Sequence, residues 1–407
     1  MAESRSVSLA RRVLLALGVL AFLLSSGIVL VWTATKDVAY PVDYPPFWSA
    51  GRLAWLGENP YDGVALRELQ KSFEESETAT IAWNPPWCLT VLMPFGILDY
   101  RTAYTVWLLF HMGLLIVAIE LLWNGLEGRP ASRGIAYLIA LANMPAVYLI
   151  GTGQITTLVL FGVGGFLAAA RANRPILAGI FVAFAANKPH LLGIFALWLM
   201  LEGSRNTFGR RVLVGGVITG ILACIPPTLA NPDVWWQYAE AITGPSSANH
   251  FHMSYWEPPL VGFWVRQAIP GNPFWAQWTP LLAFATGFVI WFYRTSKSTA
   301  FRLEVAPWAV GISLLAAPYG VWPFDLVLLQ VPILQVAAAV SRHPVRATIL
   351  KCLAVLIAFD VIGFAMMAAK TDLRWYLFFT PSTLLACWYL NRKVTFSEIT
   401  LHSPPNR

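Results

Sequence analysis

The sequence predicts an all-helical protein threaded repeatedly through a lipid bilayer, and three observations predict it. Of its 407 residues 57% are hydrophobic and only 12% charged, far from the composition of an ordinary soluble domain. The apolar residues gather in runs bounded by polar or Gly/Pro clusters, the pattern of successive membrane helices. The basic residues sit in the short breaks between those runs, as they do in loops on the cytoplasmic side of a membrane. The net charge of +7 therefore reads as topology, and no nucleic-acid partner is expected.

The elements follow in order. Arg5, Arg11 and Arg12 precede an apolar run from about Val13 to Trp32. That run is too long for the core of a signal peptide and no small-residue cleavage site follows it, so a retained anchor is expected. Further spans are expected near 104 to 123, 134 to 150, 155 to 171, 175 to 187, 190 to 202, 212 to 230, 277 to 293, 303 to 317, 323 to 340, 347 to 368 and 375 to 391. This makes about twelve transmembrane helices in one domain over residues 1–407, with both termini cytoplasmic. Alternate connections then carry Arg129 and Arg133, Arg171 and Arg174, Arg205 with Arg210 and Arg211, Arg294 with Lys297 and Arg302, Arg342 with Arg346, and Arg392 with Lys393. The opposite side receives two long loops, 33–103 and 231–276, and the short connections GTGQ (Gly151 to Gln154), NKPH (Asn187 to His190), PYGVWP (Pro318 to Pro323) and KTDLRW (Lys370 to Trp375).

The spans flanking NKPH are short. Roughly 13 residues of helix reach about 20 Å, against a hydrocarbon core of about 30 Å. Lys188 is therefore expected to lie recessed within the membrane depth, where an unpaired lysine costs about 2.5 to 3.5 kcal/mol. Non-helical backbone at that depth requires a protein-walled or watery cavity.

Several polar residues are candidates for chemistry, each with a plain structural alternative. Asp43 precedes Pro45 and Pro46, so it suits either a helix cap or a general base. The stretch Phe47 to Leu56 reads as an interfacial helix of the first loop, with Trp48, Arg52 and Trp55 on one face. Arg52 there either meets a lipid phosphate or merely snorkels. WNPPWCLTVLMPFG, Trp83 to Gly96, reads as a second interfacial segment, following the acidic Glu74, Glu75 and Glu77. His250 and His252 form an H-x-H pair without an evident third metal ligand, so no metal is expected and contact with substrate or ordinary loop structure is. Asp325 stands at a helix start, where the dipole alone favours an acid. Gln154 and Asp360 fit buried interhelical hydrogen bonds. Cys88, Cys224, Cys352 and Cys387 show no paired spacing and read as packing residues. No dinucleotide fingerprint, P-loop, GxSxG elbow or HExxH motif is present, so no nucleotide cofactor is implied.

The pattern D-x7-G-R-x4-G-x-N-P-Y-D from Asp43 to Asp62, then Asn84-Pro85-Pro86, GTGQITTLVL, PILAGIFVAFAANKPHLL and AAPYGVWPFDLVLLQVP resembles glycosyltransferase family 87 in type and order over roughly residues 40 to 340. The family contains polyprenyl-phosphomannose-dependent mannosyltransferases. The resemblance implies a GT-C-type fold with a large first extracytoplasmic loop. It also implies an active site outside the cytoplasm, a polyprenyl-phosphate sugar as donor, and a lipid or glycan acceptor. By correspondence Asp43 is the first-loop catalytic aspartate, with Lys188, Gln154, Tyr319 and Asp325 at matching binding positions. Ala317 replaces the serine of the last motif. Arg52 joins Lys188 as a candidate phosphate contact, and His250 or His252 as substitutes for a histidine found near Asp325 in some relatives. On this reading Asp43 and Lys188 open onto one outer cavity as partners.

A transporter or flippase of a lipid-linked saccharide is the rival reading, because broken helices and a buried lysine also mark transport sites; a non-catalytic envelope assembly protein is a third. The absence of evident inverted repeats and the gathering of unusual polar residues on one face weigh against transport. Orientation is testable by labelling Asp62→Cys with a membrane-impermeant maleimide. Labelling of intact cells is expected, and reaction only after the cytoplasmic face is opened would overturn the topology.

Overall fold

The computed structural model describes residues 43–73, 78–244, 260–295, 299–342 and 346–402. The predicted anchor at 13–32 and the His250/His252 pair lie outside the described residues. Every regular element among the described residues is helical. In chain order these are α1 Tyr44–Leu56, α2 Gly63–Gln70, α3 Pro86–Gly96, α4 Tyr100–Gly125, α5 Arg133–Leu141, α6 Met144–Thr152, α7 Thr156–Arg171, α8 Pro175–Ala185 and α9 Gly193–Arg205. They continue with α10 Thr207–Ala230, α11 Val234–Thr243, α12 Val261–Gln267, α13 Thr279–Thr295, α14 Ala306–Ala316, α15 Gln330–Arg342, α16 Arg346–Ala368 and α17 Phe379–His402, joined in places by 3-10 turns.

Three stretches, Tyr100–Gly125, Thr207–Ala230 and Asp325–Arg342, are long and apolar enough to cross a bilayer, and α5 with α6 make a fourth if counted as one bent span. Several shorter apolar helices, α7 and α8 among them, pack with these.

Prolines decide where the helices break. A proline inside a helix removes one hydrogen bond and its ring collides with the carbonyl four residues earlier. Pro145 stands four residues after Leu141, the last residue of α5, and the expected single span over 134–150 is instead two helices bent by 59°. Pro189 stands four residues after Ala185, the last residue of α8. Pro332 stands four after Leu328, inside the 3-10 turn Asp325–Leu329 that precedes α15. Each break delivers a polar turn into the protein interior.

Of the expected short spans around NKPH, α8 is shorter still at 11 residues and α9 has the expected 13. Their end-to-end reach is about 16 and 20 Å.

The first-loop helix departs from expectation. Helix α1 does not lie with Trp48 and Arg52 turned to lipid. Trp48 is 7% exposed, donates from Nε1 to the Leu98 carbonyl at 3.1 Å and sits edge-on to Tyr100. Arg52 Nη1 donates to the Gly96 and Ile97 carbonyls at 2.9 and 3.3 Å, satisfying the C-terminal end of α3. Only Trp55, half exposed, keeps the surface position. The cause is the small-residue face Ala50, Gly51 and Ala54, which lets α1 press onto α3 backbone to backbone. A Cβ on Gly51 would lie 2.5 Å from the Leu92 carbonyl oxygen, and one on Gly96 would lie 2.4 Å from the Arg52 nitrogen.

The two ends of the bundle differ chemically. At one, Arg171 pairs with Glu127 at 3.3 Å and Arg342 donates to the Leu126 and Glu127 carbonyls. Those three connections were all expected on the cytoplasmic side. Helix α7 runs from that end, at Arg171, to the polar turns at the other, where it starts at Thr156.

The close crossing of α1 and α3 predicts that Gly51→Ala destabilises by about 1 to 3 kcal/mol through overpacking against rigid backbone. Gly113→Ala, where a Cβ meets nothing within 4 Å, should be neutral or mildly stabilising. Thermal unfolding of the two variants in detergent makes the comparison.

Candidate functional site

The site begins with a buried charge pair. Lys188 Nζ lies 2.9 Å from Asp325 Oδ1, with the lysine side chain 9% exposed and the aspartate fully buried. The carboxylate is further satisfied: Thr156 Oγ1 donates to Oδ1, and the Trp322 backbone N–H donates to Oδ2 at 3.0 Å. Three connections expected on one face of the membrane thus meet at a single carboxylate, since Lys188 belongs to NKPH, Thr156 follows GTGQ, and Trp322 belongs to PYGVWP. The Lys188 ammonium also lies over the Phe324 ring, 4.8 Å from its centroid, which adds cation–π attraction in a desolvated setting. The predicted partnership of Lys188 with Asp43 concerns a shared outer cavity, and the countercharge of the lysine comes from elsewhere. Its ion-pair partner is Asp325, 137 positions away, because the 3-10 turn after the Pro323 break brings that carboxylate inward.

Of the three ammonium N–H groups of Lys188, one is taken by Asp325, and no other described residue accepts the remaining two. The carboxylate, by contrast, has three donors. The arrangement holds a cation whose countercharge is already immobilised and whose remaining donors stay available to an anion.

The first loop closes over this pair through hydrogen bonds between motifs. Tyr61 of the NPYD turn donates its hydroxyl to the Asn84 carbonyl at 3.0 Å. Asn84 Nδ2 donates to the Asn187 carbonyl at 2.9 Å, and Trp87 Nε1 to the Ala186 carbonyl at 3.2 Å. Burial pushes the Tyr61 hydroxyl well above the usual phenol range, so it remains a donor. From the 3-10 turn Phe274–Trp278 before α13, Gln277 Nε2 donates to the Pro318 carbonyl at 2.7 Å, steadying PYGVWP.

Asp43 stands immediately before α1, yet its carboxylate makes no capping bond to that helix; prolines fill the first turn and few amides there need a cap. The capping alternative thus loses its geometric basis. Asp43 lies within electrostatic range of the Tyr148 hydroxyl. Tyr148 stacks on Phe324 with centroids 6.2 Å apart and planes within 14°, the same ring that underlies Lys188. The Phe324 ring thus joins Tyr148 to the Lys188–Asp325 pair.

The other expected residues fall as follows. Gln154 is 8% exposed, and its side chain has one partner among the described residues, the Ile155 N–H at 3.3 Å. Tyr319 is partly buried, its ring edge-on to His190 with centroids 5.9 Å apart, and burial pushes its hydroxyl above the usual range. Arg52 caps α3 as described. Asp360 accepts from Asn143 Nδ2 at 2.7 Å and from the Met144 N–H at 3.3 Å, the interhelical hydrogen bond expected of it. Among the described residues no three or more His, Cys, Asp or Glu side chains converge as a metal site would require.

Sequence reasoning missed Thr156, Tyr148, Phe324 and His190. His190 was within reach, two residues after Lys188 in the same turn. Tyr148 and Thr156 carry no signal of their own, and only their position at helix ends near a break marks them.

The fold and site define an all-helical membrane protein whose interrupted helices gather polar turns at one end around a buried lysine–aspartate pair. The profile of glycosyltransferase family 87 matches residues 83–318, more than half of the chain, and the chain belongs to that family. The matched stretch includes NPPW, GTGQ and NKPH, whereas Asp43 and Asp325 lie beyond its two ends. No curated protein and no solved structure matches. Membership makes the chain a membrane glycosyltransferase, with a sugar donor and an acceptor.

The pair itself is testable. Asp325→Asn leaves the Lys188 charge buried without a countercharge, and a loss of about 3 to 5 kcal/mol is expected. Lys188→Met combined with Asp325→Leu should recover most of that loss while leaving transfer abolished. Melting temperature and sugar transfer measured on the same preparations separate the two effects.

Proposed function

We propose that the protein transfers a hexose, mannose by analogy with the family, from a polyprenyl-phosphate donor to a lipid or glycan acceptor. The site faces the outer side of the cytoplasmic membrane in a GT-C-type arrangement of about twelve spans. The observation that carries this reading is the buried Lys188, neutralised by Asp325 but retaining two donors, beside the loop that bears Asp43.

The chemistry follows from those positions. Outside the cytoplasm soluble nucleotide sugars are not expected, so the donor is membrane-borne and its leaving group is a lipid phosphate. As the bond between the anomeric carbon and the phosphate oxygen breaks, the electron pair stays on that oxygen, and the growing negative charge meets the Lys188 ammonium in a low-dielectric site. The acceptor hydroxyl oxygen forms the new bond to the opposite face of the anomeric carbon, inverting it, and its proton passes to the Asp43 carboxylate. Asp325 keeps its bonds to Thr156 and the Trp322 N–H throughout, so Lys188 can lean toward phosphate without stranding a bare carboxylate. Gln154 and Tyr319 supply neutral donors for sugar hydroxyls, and His250 or His252 is assigned to the same substrate from the second long loop. Arg52 is given the structural task of capping α3 in place of a phosphate contact. Transport of a lipid-linked saccharide is disfavoured because the unusual polar groups gather at one end, whereas alternating access needs gates at both.

The test is sugar transfer by purified protein in lipid with a polyprenyl-phosphate mannose donor. Asp43→Asn is expected to lower turnover by roughly 10² to 10⁴. Near-normal turnover in that variant would remove the base assignment.

A further inference from the structure

We propose that Trp107 is a positioning residue of the transfer site, a clamp that sets the separation between the Asp43 edge and the Lys188–Asp325 pair. The proposal rests on the roles given above to Asp43 and Lys188.

Trp107 lies in the second turn of α4 and is fully buried. Its indole faces two structures within one buried cluster that also holds Ile155 and Leu158. On one side, its ring packs against Tyr44, the residue next to Asp43, with centroids 5.4 Å apart, and stacks on Phe47 at 5.9 Å and 29°. Tyr44 is fully buried and held on two further sides by Tyr100 and Tyr104, so the start of α1 has no freedom to move without moving Trp107. On the other side, Trp107 Nε1 donates to the Gly153 carbonyl at 2.8 Å. Gly153 holds a left-handed φ of 73° where α6 ends. Three residues later Thr156 donates to Asp325, which holds Lys188.

One side chain thus touches the segment carrying the proposed base and the turn leading to the proposed phosphate-binding pair. A bulky core residue needs only to fill space. The indole N–H bond to a turn carbonyl, together with the aromatic contacts to α1, fixes a distance as well. In-line displacement depends on that distance, and a misplacement of about 1 Å can cost on the order of 10²-fold in rate.

Helix α4 provides its own control. Trp123 is likewise fully buried and donates from Nε1 to a carbonyl, that of Arg129 at 3.0 Å, at the far end of the helix. Trp107→Phe and Trp123→Phe therefore remove the same chemical group from equivalent burial, and a purely structural role predicts the same outcome for both.

The experiment compares both variants, and each combined with Asp43→Asn, for melting temperature and for kcat and KM of mannosyl transfer from a polyprenyl-phosphate donor in lipid. Trp107→Phe is expected to lower kcat by about tenfold or more while its melting temperature falls no further than that of Trp123→Phe, which keeps near-normal kcat. Adding Asp43→Asn to Trp107→Phe is expected to cost clearly less than it costs the wild type, because contacting or commonly acting residues are not additive. Equal kcat in the two tryptophan variants, or full additivity of Trp107→Phe with Asp43→Asn, would overturn the proposal. Should Trp107→Phe fail to fold, Phe47→Leu loosens the same clamp from the α1 side and leaves the indole N–H bond in place; a kcat equal to wild type would then overturn it. Normal turnover in Asp43→Asn alone would instead overturn the base assignment on which the proposal stands.

Discussion

The rest of the structure depends on a lysine and an aspartate that hold each other inside a helix bundle. Either charge alone at that depth would be expelled, neutralised or paired at great cost. Together, with Thr156 and the Trp322 N–H completing the carboxylate, they tie three polar turns from distant parts of the chain into one unit. Replacing a buried pair by apolar residues is often neutral for stability, so the pair's contribution lies in fixing how the three turns meet.

The helix breaks are the means by which such polar groups reach the interior. Pro145 and Pro189 each stand four residues after the last residue of an α-helix, and Pro332 lies in the first turn of α15, just after the 3-10 turn Asp325–Leu329. The freed backbone carbonyls then become the acceptors that other motifs use. Asn84 and Trp87 bond to Asn187 and Ala186 at the end of α8, and Trp107 bonds to Gly153 at the end of α6. The order of motifs along the chain is, in space, a series of side chains donating to the carbonyls of broken helices.

Much of this was legible beforehand. The apolar runs and the placement of arginines between them predicted a helical membrane protein, and NKPH stood out as the polar turn that carries Lys188, which is buried in the fold. The first-loop helix was misjudged for a physical reason. Tryptophan and arginine on one face of a helix read as lipid anchors, but Ala50, Gly51 and Ala54 form a still better surface for close contact with α3. That contact carries Trp48 and Arg52 onto the Gly96–Leu98 turn.

The amino-acid sequence by itself determined the class of protein and the prolines that break its helices, because hydropathy and proline sterics are local properties. Only the tertiary structure decided that Lys188 pairs with Asp325, that Tyr148 stacks on the Phe324 ring beneath Lys188, and that Trp107 joins Tyr44 of α1 to the Gly153 turn. Those are choices of partner among many chemically equivalent residues. The carboxylate that neutralises a buried lysine is selected by which helix ends meet, and nothing in the spacing of residues along the chain records that meeting.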